Sequence, residues 1–272
     1  MRSETPPRDR QTSVSAQVTT ERAWHDRHLA GQCPRSRWLA TGIHDWLYSD
    51  GVARSADRYM ASLLQEIIRP GLTAVECGCG CDARLSTFLK DARARVLSFD
   101  VSYVALSRAS ASRNSGEPGF FFVNAAAEHL PISNESIDLV VAESALHHFC
   151  LTPALAELNR ILRKGGICVF REPLRGSPFV RLFRWLTPGD RTSTERPFGQ
   201  NEFDVISTGF TIQRRTDFFL FAPMSVAVAF ISRRLASWLW KRLVLIDGLL
   251  VRRFPALRWW CWQTVVVVQK PV

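Results

Sequence analysis

The chain is poor in lysine, with Lys90, Lys164, Lys241 and Lys270 alone among 35 basic residues, and it lacks long hydrophobic runs. Its longest uncharged apolar stretch, Phe218 to Ser232, is 15 residues. That is too short to cross a bilayer. No apolar segment follows Met1, so a secretory leader is not expected. Paired C-x-x-C knuckles are also missing: the seven cysteines lie at 33, 77, 79, 81, 150, 168 and 261. Cys77, Cys79 and Cys81 alternate along a strand end, which sends successive thiols to opposite faces and makes a poor metal site. They read as small packing residues in a reducing cytoplasm, and no metal is expected.

What is present is a basic, globular composition. Hydrophobic residues make up 46% and charged residues 22%, which excludes a wholly disordered chain. The net charge of +10 is carried mostly by arginine and suits an anionic partner, without choosing between nucleic acid, lipid head group and phosphorylated metabolite. Length allows one large domain with elaborations.

Residues 1–22 are polar and proline-containing and read as a mobile tail. Residues 23–69 read as an N-terminal helical cover, with an aromatic-rich segment from Trp24 to Tyr48 and an amphipathic helix from Arg54 to Ile68 that ends at Pro70 and Gly71. A core follows over 70–222. Strand-like runs at Thr73–Cys77, Arg95–Phe99, Phe120–Val123, Ile137–Ala142 and Gly166–Arg171 alternate with helical stretches at Ala83–Lys90, Tyr103–Arg113 and Pro153–Leu162. Strict alternation implies parallel strands with crossover helices, an α/β doubly wound sheet of about seven strands. Phe210–Phe219 and Trp262–Val268 read as the last two strands, separated by a helical insertion over 223–258, and residues 259–272 carry the final strand.

The first strand runs into Glu76-Cys77-Gly78-Cys79-Gly80-Cys81-Asp82 and then a helix. Glycines there permit a tight turn and let backbone N–H groups approach a ligand. Asp100 ends the next strand, where a carboxylate either accepts from two ribose hydroxyls or caps the helix beginning near Val101.

Glu76-x-Gly78-x-Gly80, Asp100, Leu130-Pro131 with Ile137-Asp138-Leu139, Leu146-His147-His148, and Glu157-x-x-Arg160-x-Leu162-x-x-Gly165-Gly166 together resemble the class I methyltransferase family, in particular the group containing the ubiquinone and menaquinone biosynthesis enzymes. The resemblance covers residues 70–172. It implies a Rossmann-like fold, S-adenosyl-L-methionine as cofactor, and cofactor contacts from Glu76, Gly78, Cys79, Gly80, Asp100, Val101, Ala126, Ala127 and Glu143. Two positions depart from the family pattern. Asp82 stands where a third glycine is usual, and Ala126 stands where an acid usually precedes the adenine segment.

Methyl transfer from a sulfonium is an in-line displacement, so alignment supplies much of the rate, and a base is needed when the acceptor loses a proton. His147 and His148 follow the fourth strand and are the candidate catalytic residues; alternatively they bond locally or orient a loop. Ala142-Glu143-Ser144-Ala145 replaces the Asn-Pro-Pro-Tyr type motif of base amino methyltransferases, and no RNA-binding signature is present, so a small-molecule or lipid-like substrate is favoured over nucleic acid. A non-catalytic Rossmann-like binding protein is the alternative. Within the insertion, Val228, Ile231, Leu235, Leu239, Leu243, Ile246, Leu250 and Phe254 recur at helical steps, the stripe of one amphipathic helix or of a broken pair with Gly248 near the break. With arginines off that stripe, the segment reads as a cap on the pocket and a peripheral contact at the inner membrane face, or as a helix packed on the sheet.

Overall fold

A computed structural model describes residues 8–31, 46–47, 54–111, 120–187, 189 and 191–272. Val-rich runs buried on both faces form the centre of a seven-stranded sheet. Its strands are β1 (Thr73–Cys77), β2 (Arg95–Asp100), β3 (Phe120–Asn124), β4 (Ile137–Glu143), β5 (Leu162–Pro173), β6 (Thr211–Phe218) and β7 (Gln263–Gln269), in the order β3-β2-β1-β4-β5-β7-β6. β7 alone runs antiparallel, between β5 and β6. The order reverses between β1 and β4, and a doubly wound sheet opens a crevice at the carboxyl ends of its strands at such a point. Register brings Cys77 level with Phe99 and Ala142, and Glu143 level with Arg171.

Helices cover both faces. On one, α2 (Ser55–Ile67) and α3 (Arg84–Asp91) bury Met60, Leu63, Leu64, Leu85 and Leu89. On the other, α5 (Leu151–Ile161) and α7 (Gln200–Ser207) bury Leu155, Leu158, Phe203 and Ile206. α4 (Tyr103–Ala111) packs Leu106 and Ala109 beside Cys79 and Ala83, and α6 (Pro178–Leu186) follows β5.

The N-terminal region differs from the sequence reading. Residues Arg8–Leu29 form a helix, α1, where a mobile tail to residue 22 is expected. α1 has almost no apolar face, so periodicity does not reveal it. Polar contacts hold it instead: Arg22 Nε donates to Val101 O (3.1 Å), Ser102 Oγ to Asp26 (2.5 Å), and Gln17 Nε2 to His148 O (2.9 Å). The expected cover over 23–69 is therefore divided. α1 crosses the carboxyl edge, whereas Trp46, Leu47 and α2 join the core on the sheet face. Cys33, Trp38, His44 and Tyr48 lie outside the described residues.

The insertion also differs. α8 (Ser225–Ala229) and α9 (Arg233–Arg253) are separated at 230–232, where the Ser232 hydroxyl caps α9 by accepting from Leu235 N (3.3 Å), and α9 continues through Gly248. One glycine in a helix interior costs about 1 kcal/mol and need not break it. The buried face of α9 is Ala236, Trp240 and Asp247, with Leu243 and Leu250 half-buried. Ile231, Leu235, Ile246 and Phe254 of the expected stripe are exposed. Trp240 sets this rotation by packing against Trp46, Phe219 and Trp262. Asp247 locks it, accepting from Phe221 N (2.9 Å) and Ala222 N (3.0 Å). Asp247→Ala orphans both donors and should lower stability by about 2–4 kcal/mol in urea unfolding, with Asp247→Asn milder because it keeps one acceptor.

Candidate active site at the carboxyl edge

The loop after β1 turns through Gly78 (φ +65°) and Gly80 (φ +62°), a backbone region that L side chains rarely adopt. A Cβ on Gly78 would lie 2.7 Å from the Ala145 Cβ, so this glycine also permits close approach of the β4 loop. Asp100 binds the turn from below: one carboxylate oxygen accepts from Gly80 N (2.9 Å), the other from Ser102 N (2.8 Å). The cap of α4 is Ser102, whose hydroxyl accepts from Ala105 N (3.1 Å). Asp100 retains lone pairs beyond those two bonds, as a carboxylate can accept about four. Val101 lies beside it, its carbonyl accepting from Arg22 and Asn124.

Glu76 sits under the loop. Its buried carboxylate accepts from Ser86 N (2.7 Å) in the first turn of α3, and burial pushes its pKa up to about 7. The helix cap itself is Ala83, in a left-handed conformation, so the α3 N-terminus is satisfied by Glu76. Cys79 is buried against α4. Ala126 and Ala127 form the tight turn after β3, Ala126 O accepting from His129 N (3.0 Å), and Glu128 reaches across to accept from Cys150 N (2.7 Å). Glu143 lies in a charge cluster with Arg84, Arg171 and Asp57. Burial would raise its pKa, but the two guanidiniums outweigh burial and hold it below the usual carboxylate range. This cluster ties α2 and α3 to the ends of β4 and β5.

The two histidines separate in role. His147 Nδ1 meets Glu172 Oε2 at 2.5 Å, while Glu172 Oε1 accepts from Ala145 N (3.1 Å) and Leu146 N (2.9 Å). Glu172 is fully buried, and the His147 Nε2 side faces Glu195 at 4.0 Å. His148 instead pairs with Glu21 of α1 (Nδ1–Oε2 3.1 Å), and Glu21 also accepts from Thr192 (2.6 Å) and Thr194. His25 stands 3.7 Å from the same Glu21 oxygen. Glu21, His25 and His148, and likewise His147, His148 and Glu195, bring three potential metal-ligand atoms within 4.8 Å of one another.

Residues 75–170 match the family model described as a methyltransferase domain. A malonyl-[acyl-carrier protein] O-methyltransferase of Hamiltonella defensa is 34% identical over 138 residues, 50% of this chain and 51% of that protein. A dimethylglycine N-methyltransferase of Parasynechococcus marenigrum is 26% identical over 171 residues, 60% and 61% of the two chains. Among solved structures, a geranyl diphosphate C-methyltransferase of Streptomyces coelicolor superposes with a TM-score of 0.59 at 14% identity, over 94% of this chain and 98% of that one. Residues 75–170 therefore carry the pattern of a methyltransferase domain. It spans about half the length of the first curated relative it matches.

The site residues not foreseen from the sequence come from outside the motifs. Glu172 stands at the end of β5, just beyond the expected strand Gly166–Arg171, and only pairing shows that it faces His147. Glu21 and His25 share a face of α1 at i, i+4, a spacing legible in the residues once a helix is granted. Glu157 and Arg160 of the motif form an ion pair at i, i+3 (2.7 Å). They also fasten the Leu130–Asn134 loop, Arg160 donating to the carbonyls of Leu130 and Ile132. Tyr59 bonds Thr216 on the sheet face, and His28 of α1 stacks on Trp24.

The α1 contact carries a pH signature. Burial lowers the His148 pKa, but Glu21 more than offsets this and raises it above the ordinary 6.5. Its contribution to holding α1 is therefore complete below the unfolded value and is lost as pH rises through the folded one. Glu21 has the opposite sign. Burial raises its pKa, His148 and the threonine hydroxyls outweigh that, and the contribution is lost as pH falls through a value below 4.5. Hydrogen exchange across α1, corrected for intrinsic rates, should be slowest at about pH 5–6 and accelerate above it. Glu21→Gln should flatten that dependence.

Proposed function

We propose that this chain transfers the methyl group of S-adenosylmethionine to a small-molecule or lipid-like acceptor by in-line displacement, with His147 as the base. The observation that carries this reading is the assembly of three loops at one carboxyl edge: the Gly78–Gly80 turn, Asp100 bracing it, and the His147–Glu172 pair at the end of β4, all beneath α1. The cofactor supplies an electrophilic sulfonium methyl. Gly78 and Gly80 leave room for its backbone approach, Asp100 accepts from the ribose hydroxyls, and the segment Ala125–Glu128 borders the adenine. Ala126 offers no side-chain acceptor, so adenine is held by the backbone near Ala127 and by packing.

Glu172 fixes the proton of His147 on Nδ1, which leaves Nε2 with its lone pair. That atom takes the proton of the acceptor as its oxygen, nitrogen or carbon attacks the methyl group, and Glu172 stabilises the resulting imidazolium. His148, held by Glu21, positions α1 over the site. Both ends of the insertion 223–258 meet the sheet at the carboxyl edge, and Trp259 lies against Gly176 in the loop after β5, which supports a covering role for this segment on the acceptor side. The relatives are named for methyl transfer to oxygen, nitrogen and carbon, so the acceptor atom is a matter for this chain's own pocket.

Equilibrium titration with S-adenosylmethionine tests the cofactor half. Asp100→Ala should weaken binding by about tenfold or more, the loss of a charged acceptor, and Gly80→Val should abolish it; parental affinity in Asp100→Ala would overturn the assignment. For the chemical half, His147→Ala should lower kcat by about 10²–10⁴-fold with cofactor affinity unchanged, and Glu172→Gln should follow it in part. The acceptor can be sought by mass spectrometry of cell extracts incubated with protein and isotopically labelled cofactor. Absence of any labelled product alongside tight cofactor binding would favour a non-catalytic binding protein.

A further inference from the structure

α9 has two faces, and the sheet uses only one. Opposite Ala236, Trp240 and Asp247, the side chains of Leu235, Trp238, Leu245 and Leu249 are 52%, 55%, 64% and 61% exposed, and Ile231 just before the helix is 87% exposed. Positions 235, 238, 245 and 249 lie at helical steps of three, seven and four, so they share one solvent-facing side of a 21-residue helix, and Ile231 adds exposed apolar surface just before it. Exposed apolar residues scattered singly need no explanation, whereas several gathered on one side of a helix do.

Charge surrounds this row. α9 carries six cations, Arg233, Arg234, Lys241, Arg242, Arg252 and Arg253, and one acid, Asp247, which is buried on the opposite face. Arg234, Lys241 and Arg252 project along one flank of the row, and Arg242 lies within it, 5.7 Å from the Trp238 ring. Beside the row an open depression of about 410 Å³ is lined by Trp46, Arg233, Arg234, Ser237, Trp238 and Lys241. Three of those six are cations and none is acidic.

We infer that this face of α9 docks on an anionic phospholipid bilayer, the apolar row entering the acyl boundary and the Arg233–Arg234–Lys241 depression receiving a phosphate head group. An apolar row flanked by arginine and tryptophan matches that interface in both chemistry and depth. Another copy of this chain is a poorer occupant, because two molecules of charge +10 would bring like-charged faces together. Among the described residues no helix is long and apolar enough to cross a membrane, so the contact is interfacial. The inference deepens the lipid-like part of the proposed acceptor, since docking would bring an enzyme with its insertion at the site edge to substrates dissolved in the bilayer.

Flotation of the full chain with vesicles of phosphatidylcholine alone, or of phosphatidylcholine with phosphatidylglycerol, tests it without turnover. The protein should float with the anionic vesicles, with affinity falling about tenfold or more when salt rises to about 0.5 M. Trp238→Ser combined with Leu245→Gln and Leu249→Gln should abolish flotation while leaving S-adenosylmethionine binding and the circular dichroism spectrum unchanged, because these side chains are exposed. Arg234→Glu with Lys241→Glu should weaken anionic binding by a similar factor. Failure of the parent to float at low salt would overturn the inference, as would flotation of the triple variant at parental affinity. So would a parental dimer that the triple variant converts to monomer in ultracentrifugation, since a second copy would then cover the row. Loss of cofactor binding by the parent would count against the methyl-transfer reading alone.

Discussion

Buried and half-buried carboxylates that accept backbone N–H groups hold the loops of this protein in place. Glu76 takes Ser86 N, Asp100 takes Gly80 N and Ser102 N, Glu128 takes Cys150 N, Glu172 takes Ala145 N and Leu146 N, and Asp247 takes Phe221 N and Ala222 N. An ionised carboxylate in the interior is costly unless donors surround it, and a loop N–H without a sheet partner is equally costly if left bare. Each satisfies the other. Four of these five carboxylates sit in or directly beneath the loops at the carboxyl ends of β1 to β5, so the same pairing that stabilises the fold shapes the crevice.

Pre-organisation of this kind suits a reaction in which alignment supplies most of the rate. In the proposed site, a glycine turn braced by Asp100 would not need to reorganise to receive a ribose, and an imidazole oriented by Glu172 would present a defined lone pair. The second histidine is used differently. Its partner, Glu21, belongs to a helix that crosses the crevice through polar contacts rather than through an apolar seam. Helices attached in this way open at lower free-energy cost than core elements, a property suited to a cover that must admit substrate.

The insertion between β6 and β7 divides its functions between faces. Trp240 and Asp247 lock α9 onto the sheet, and the opposite row of leucines and tryptophan, edged with arginine, remains available to an anionic surface. Six cations against one acid on this helix carry half of the chain's net charge of +10.

The residues alone determined the α/β class, the seven strands from β1 to β7, the two glycines with Asp100, and the adjacent histidines, because each depends on local periodicity or on a motif spaced within one βαβ unit. α1 was not legible, since a helix without an apolar face leaves no periodic signal. Nor was the partner of His147, which lies 25 residues away on another strand and is brought to it by β4–β5 pairing. Glu143 illustrates the same limit: its place in the motif suggested a cofactor contact, whereas its setting among Arg84, Arg171 and Asp57 depends on three other elements. In α9 the residues showed an amphipathic helix but not which side would be buried. Apolar and mixed rows both recur at steps of three and four, and only the fit of Trp240 among Trp46, Phe219 and Trp262 decided which row met the sheet.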